Sequence, residues 1–78
     1  MFLEIITPEK NLYTGKVNSI ILPGIDGQFG ILENHAPIIS ILIKGVITIT
    51  ENNEKIKKFE IDGGVIEMKN NHTTILVE

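Results

Sequence analysis

Seventy-eight residues leave room for one domain, and 42% hydrophobic against 22% charged residues supply apolar material for a core, far from the composition of disordered chains. A formal net charge of −3 gives no basic field to draw a nucleic-acid backbone, so nucleic acid is excluded as the expected partner. With no cysteine there is no disulfide, thiolate zinc site or cysteine nucleophile, and two histidines do not by themselves make a catalytic metal site.

Met1-Phe2-Leu3-Glu4 has no basic start and no apolar run of signal-peptide length, so the chain is expected to begin at its natural start and to stay where it is made. Isoleucine recurs throughout and Ala36 is the sole alanine, a usage that suits pleated strands better than helices. Residues 2–7 read as a strand, Pro8-Glu9-Lys10-Asn11 as a turn, and residues 17–22 as a second strand ended by Pro23-Gly24. Asp26-Gly27 supplies a tight turn. From Pro23 to Pro37, fifteen residues hold three glycines, two prolines and His35, which predicts a rigid, shaped loop with Gly30 in a crowded position. On residue chemistry alone this loop either turns a corner or makes a contact.

The longest apolar stretch, residues 38–43, stops at Lys44, well short of the ~20 residues that span a bilayer. Val46-Ile47-Thr48-Ile49-Thr50 alternates with period two, placing Ile47 and Ile49 on one face. After the polar turn Glu51-Asn52-Asn53-Glu54, residues 55–62 return as the second arm of a hairpin with Phe59 and Ile61 on one face and Lys58 and Glu60 on the other. Gly63-Gly64 is expected to break the run. Residues 65–69 start another strand, Asn70-Asn71 tolerate positive φ, and residues 72–77 close a second hairpin. No apolar helical period persists over three turns, so no long helix is expected. The pattern predicts a single all-β domain over residues 1–78, a two-layer antiparallel sandwich or flattened barrel with a C-terminal meander.

The central segment carries more than turn chemistry. Pro23-Gly24, Asp26-Gly27, Phe29-Gly30-Ile31-Leu32 and His35-Ala36-Pro37, in that order, resemble the signature of the epsilon-subunit family of F-type ATP synthases. Thr7-Pro8-Glu9, Tyr13-Thr14-Gly15, Gly45, Gly63-Gly64-Val65-Ile66-Glu67 and Thr74-Ile75-Leu76 fall in the family's order as well, so the resemblance covers essentially the whole chain.

The resemblance implies a flattened antiparallel β-sandwich of about ten short strands at the foot of the rotating central stalk, bound to the gamma subunit and touching the polar loops of the c-ring. By position, a loop at Gln28, Phe29 and Gly30 and a turn at Glu33, Asn34 and His35 resemble the c-ring-facing end, while Thr7, His35 and Ser40 match positions near gamma. It implies a rotor subunit with no catalytic residue, cofactor, metal or ATP site. The implied location is peripheral, on the cytoplasmic face of the bacterial inner membrane. Gln28 stands where many relatives carry glutamate; its amide brings no charge, leaving Glu33 as the nearby source of one. Family members usually continue into a C-terminal helical hairpin that in several of them inhibits ATP hydrolysis. A chain ending at Glu78 is expected to assemble and couple without that brake.

Other chemistry is weaker. Ser40 lacks the Gly-x-Ser-x-Gly elbow of a serine nucleophile, and Asp26, Glu33 and Glu67 fall on separate turns. His35 reads either as a pH-sensitive contact or as a histidine hydrogen-bonded within its own turn, and His72 as a solvated residue at a strand start. Met68-Lys69-Asn70-Asn71 resembles the hairpin-tip lysine of swinging-arm carrier domains, but biotin carriers usually place methionine on both sides of that lysine. A generic binding sandwich is the third class, although three phenylalanines and one tyrosine offer little platform for sugar stacking.

Overall fold

Alternating apolar side chains settle residues 1–78, all of which the computed structural model describes, into six strands and no helix. These are β1 (Phe2–Ile6), β2 (Asn11–Gly24), β3 (Gly27–Leu32), β4 (Ile38–Glu51), β5 (Ile56–Lys69) and β6 (His72–Val77). The expected all-β fold is present, with six strands in place of about ten because β2, β4 and β5 each run for fourteen residues.

Each long strand serves both layers. In β4 the inward positions are Ser40 and Leu42 before the bend and Ile47 and Ile49 after it, so the buried phase switches from even to odd around Gly45. In β5 the switch falls at Gly63-Gly64, between buried Ile61 and buried Ile66. Those glycines bend the strand and do not end it: pairing continues from Gly45↔Ile61 through Ile43↔Gly63 to Leu42↔Gly64. At Gly64 close approach excludes a side chain, since a Cβ would collide with the backbone carbonyl of Leu76 on β6. In β2 the pairing with β4 shifts between Val17 and Ser19, and the inward phase passes there from Val17 to Ile20.

The strands close into a ring, β1-β6-β5-β4-β2, because β2 also pairs with β1. Four of those five contacts are antiparallel, in keeping with the expected antiparallel sandwich, and one is not: β1 and β6 run parallel, with Phe2 opposite His72 and Ile6 opposite Leu76. A strand has no sequence mark for a neighbour about seventy residues away, whereas a hairpin turn does. The ring is flattened, 27 × 24 × 18 Å, around a core that includes fully buried Leu3, Ile5, Ile20, Leu22, Ile47 and Ile66.

β3 lies outside the ring and pairs only with the second half of β2, from Ser19↔Leu32 to Gly24↔Gly27. This corrects the expected loop: Gln28, Phe29 and Gly30 are strand residues. The turn before them is tight because Gly27 adopts φ 122, a conformation that other residues resist. Glycine and proline density marked the corners of this hairpin and masked the strand between them.

Candidate partner-binding surfaces

The inner faces of β4, β5 and β6 are apolar, as the core requires, but so is part of their outer face. Register places Ile41 beside Val65, Val65 beside Leu76, and Leu76 beside Ile6, a row crossing four strands. Ile41, Val65 and Leu76 are 55%, 41% and 52% exposed, and Ile39, one step along β4, is 73% exposed. With Thr7 and Pro8 the row lines an open groove of about 640 Å³. Contiguous exposed apolar surface of this kind is a candidate contact site in a small domain. Its signal in the sequence is Ile39-x-Ile41-x-Ile43, hidden within the apolar run of residues 38–43 because Ile38 and Leu42 at the alternate positions are apolar too.

The sequence-assigned residues do not form one patch. Thr7 lies at the rim of the apolar groove, with its hydroxyl oxygen accepting from Lys10 N at 3.0 Å and Glu9 N at 3.2 Å within the β1–β2 turn. Ser40 is half-buried and faces the opposite side of β4 from Ile39 and Ile41. His35 sits in the β3–β4 connection near the start of β6, so the length of β6, roughly 20 Å at ~3.3 Å per residue, separates it from Thr7. Gln28 and Gly30 are exposed on β3, and Phe29 is half-buried against the core. The crowding expected at Gly30 is absent: a Cβ there would meet nothing closer than the Ile20 carbonyl at 3.7 Å.

Glu33 and His35 occupy a turn that is tied on two sides. Glu33 Oε1 is 2.9 Å from the Met1 ammonium group, which also donates to Val17 O at 3.0 Å, so the carboxylate already has a cationic partner. Asn34 N donates to Asn71 Oδ1 at 2.6 Å, and Asn71 Nδ2 donates back to Asn34 Oδ1 at 2.7 Å. His35 Nδ1 lies 2.7 Å from the Ala36 carbonyl, a hydrogen bond within its own turn.

Elsewhere the polar groups serve the fold. Tyr13 donates to Glu51 Oε2 at 2.5 Å, and Lys57 Nζ lies 3.5 Å from that carboxylate and 5.4 Å from the Tyr13 ring centroid. Burial, then the bond to Glu51 and its negative charge, push the Tyr13 phenol from 10.0 to about 12. The same hydrogen bond holds the Glu51 carboxyl below its ordinary value, with Lys57 and Lys55 acting in the same direction. His72 is paired, not simply solvated: Nε2 is 3.0 Å from Glu4 Oε1 and the ring meets Phe2 edge-on at 5.0 Å. Lys69 is exposed beside the Asn70-Asn71 turn, and Met68 before it is buried. No three His, Asp or Glu side chains gather where they could hold a metal ion.

The fold and its apolar row can be set beside known proteins. The family described as "ATP synthase, Delta/Epsilon chain, beta-sandwich domain" matches residues 1–78. The chain belongs to this family. The ATP synthase epsilon chain of Leptospira borgpetersenii is 46% identical over 76 residues, which are 97% of this chain and 59% of that protein. That of Chlorobium limicola is 37% identical over 76 residues, covering 97% of this chain and 86% of the relative. The chain thus spans about six-tenths of the Leptospira relative's length. Among solved structures, a chain in the cryo-EM structure of Euglena gracilis mitochondrial ATP synthase (OSCP/F1/c-ring) matches with TM-score 0.90 and 18% identity, over 96% of this chain and 48% of that one. A chain from the Tetrahymena thermophila central stalk and c-ring structure matches with TM-score 0.80 and 19% identity, over 97% and 61%. At those identities the likeness speaks to the fold alone. Within the family, residues 1–78 correspond to the β-sandwich and therefore to strands and turns throughout.

Proposed function

We propose that this chain is a non-catalytic rotor subunit of an F-type ATP synthase, joining the gamma subunit to the c-ring in the central stalk and supporting the coupling of ion translocation to ATP synthesis. The observation that carries this reading is the family match over residues 1–78, supported by 46% identity to a protein named ATP synthase epsilon chain. The complex would hold the chain peripherally, on the cytoplasmic face of the bacterial inner membrane. Gamma would cover the apolar row on β4, β5 and β6 with Thr7 at its rim, and His35 and Ser40 would approach gamma from other sides. The c-ring loops would meet Gln28, Phe29 and Gly30 on β3 and the turn at Glu33 and His35.

The mechanical task explains the architecture. An element that passes torque between two partners must deform little, and a closed ring of paired strands around a close-packed core resists both shear and opening. Apolar surface supplies most of the gamma affinity, and a net charge of −3 acts on encounter and on the choice of partner. The chain performs no chemical step and holds no nucleotide or cofactor in this reading. Residues 1–78 contain no helix, so a helix-based brake on hydrolysis is not supplied by them, and they are expected to support assembly without inhibition.

Affinity purification through a tag on this chain, from native membranes in mild detergent, tests the reading. Gamma and the c-ring are expected to co-purify with it; a preparation of intact ATP synthase without this chain would sink the proposal.

A further inference from the structure

The turn that carries Glu33 and His35 has little of its own to hold it. Its backbone hydrogen bond, from His35 N to Leu32 O, is 3.2 Å long, and Asn34 adopts φ 64, a conformation favoured by glycine and asparagine. It is held from outside at two points, by the Met1 ammonium group on Glu33 and, thirty-seven residues along the chain, by the two hydrogen bonds of the Asn71 amide to Asn34. A single hydrogen bond would fix a distance; two from one planar amide also fix an angle. Asn71 is itself well placed to hold something. It is the second residue of a two-residue turn with φ 54 and 59, and its carbonyl accepts from Phe2 N at 2.9 Å, anchoring the turn to the root of β1. Glycine is the easier residue at that turn position. Asparagine occupies it here, and both its amide oxygen and its amide nitrogen engage Asn34. Between the two turns lies an open polar cleft of about 320 Å³ whose lining includes His35 and Asn70 and holds no lysine, arginine, aspartate or glutamate.

We propose that Asn71 is a positioning residue for the c-ring contact, and that the contact surface is composite: the β3–β4 turn is held in one orientation by the tip of the β5–β6 hairpin, and both tips present hydrogen-bonding side chains to a polar loop. This rests on the reading of the Glu33–His35 turn as a c-ring contact. The acidic charge of Glu33 contributes less than its exposure suggests, because the carboxylate is already paired with the Met1 ammonium group.

Asn71→Gly and Asn34→Gly test it, since glycine keeps each backbone conformation and removes only the amide. Asn71→Gly removes both hydrogen bonds, whereas Asn34→Gly removes only the one accepted by Asn34 Oδ1 and keeps its backbone N–H donor. In the full chain, amide exchange at residues 33–35 should quicken about tenfold in Asn71→Gly, by less in Asn34→Gly, and no further in the double variant than in Asn71→Gly. In purified ATP synthase carrying Asn71→Gly, gamma should be retained while the ratio of ATP synthesis to ATP hydrolysis falls about threefold or more, a loss of the size two exposed hydrogen bonds can cause. Unchanged exchange, or faster exchange with an unchanged ratio, overturns the inference. So does loss of gamma together with a collapsed thermal transition, because the pair would then hold the fold and not the turn. Absence of the wild-type chain from the purified enzyme would instead overturn the proposed function, and with it the basis of this inference.

Discussion

At Tyr13 a single hydroxyl links the first half of the chain to the central hairpin, and its bond to Glu51 makes stability depend on pH at both extremes. Glu51 is held below its ordinary 4.5, so its contribution is present above that pH and is lost as pH falls through the lowered value. Tyr13 is raised from 10.0 to about 12, so its contribution is complete below pH 10 and is lost as pH rises towards 12. Tyr13→Phe should therefore cost about 1 kcal/mol near neutrality, and the gap between variant and wild type should narrow in strong acid and above pH 10. Urea unfolding at several pH values reads this directly; a gap independent of pH would show that the ring, and not the hydroxyl, makes the difference. Two glycines offer an opposite pair. Gly64→Ala drives a methyl into the Leu76 carbonyl across a paired strand and should cost about 2–3 kcal/mol. Gly30→Ala places its methyl in ordinary contact on an exposed strand and should stay within about 0.5 kcal/mol. Thermal melts of the two proteins rank them, and equal losses would contradict the geometry.

Each strand of the β4–β5–β6 sheet has an inner row that the core needs and an outer row that it does not. Ile41→Lys alters only the outer row, so stability should move by no more than about 0.5 kcal/mol while capture of gamma weakens tenfold or more, as truncating a central interface anchor does. Loss of stability with undiminished capture would assign Ile41 to the fold and remove the row from the interface. The same face shows where sequence reading succeeds and fails. Both C-terminal hairpins are legible because period-two alternation and polar or asparagine turns are local signals, and Thr50↔Ile56 and Lys69↔His72 pair as those signals require. The outer apolar row was not legible, because alternation does not say which face is covered when both faces are apolar. β3 was hidden by its own glycines, which fix the corners of the β2–β3 hairpin but also lower the apparent strand propensity between them. The Asn34–Asn71 pair depends on two turns meeting in space, and neither turn carries a local mark of the other.

For the molecule as a whole, closure is the event that the sequence order makes hardest. The ring is complete only when β1, the first strand, pairs with β6, the last, and β6 at the same time covers the edge of β5. Deleting residues 72–78 opens both edges and removes Thr73, Ile75 and Val77 from the interior. Burial of the two aliphatic side chains is worth about 1.5–3 kcal/mol each, and the lost ladder bonds on either side add to that. A chain of this size has a stability of only about 4–12 kcal/mol, so the shortened chain should show no cooperative thermal transition. A large non-local closure step also predicts folding of the intact chain in milliseconds to seconds, and not in microseconds, in stopped-flow refolding. The decisive comparison is between seven residues removed at the C-terminal end and the same chain with the missing strand supplied as a separate peptide. Binding of that peptide should restore the transition, because the cleft between β1 and β5 offers two complementary edges and the vacant core positions. A truncated chain that melts cooperatively by itself would show that β4, β5 and β2 form a self-sufficient core, and that β6 is a cover and not the closing strand.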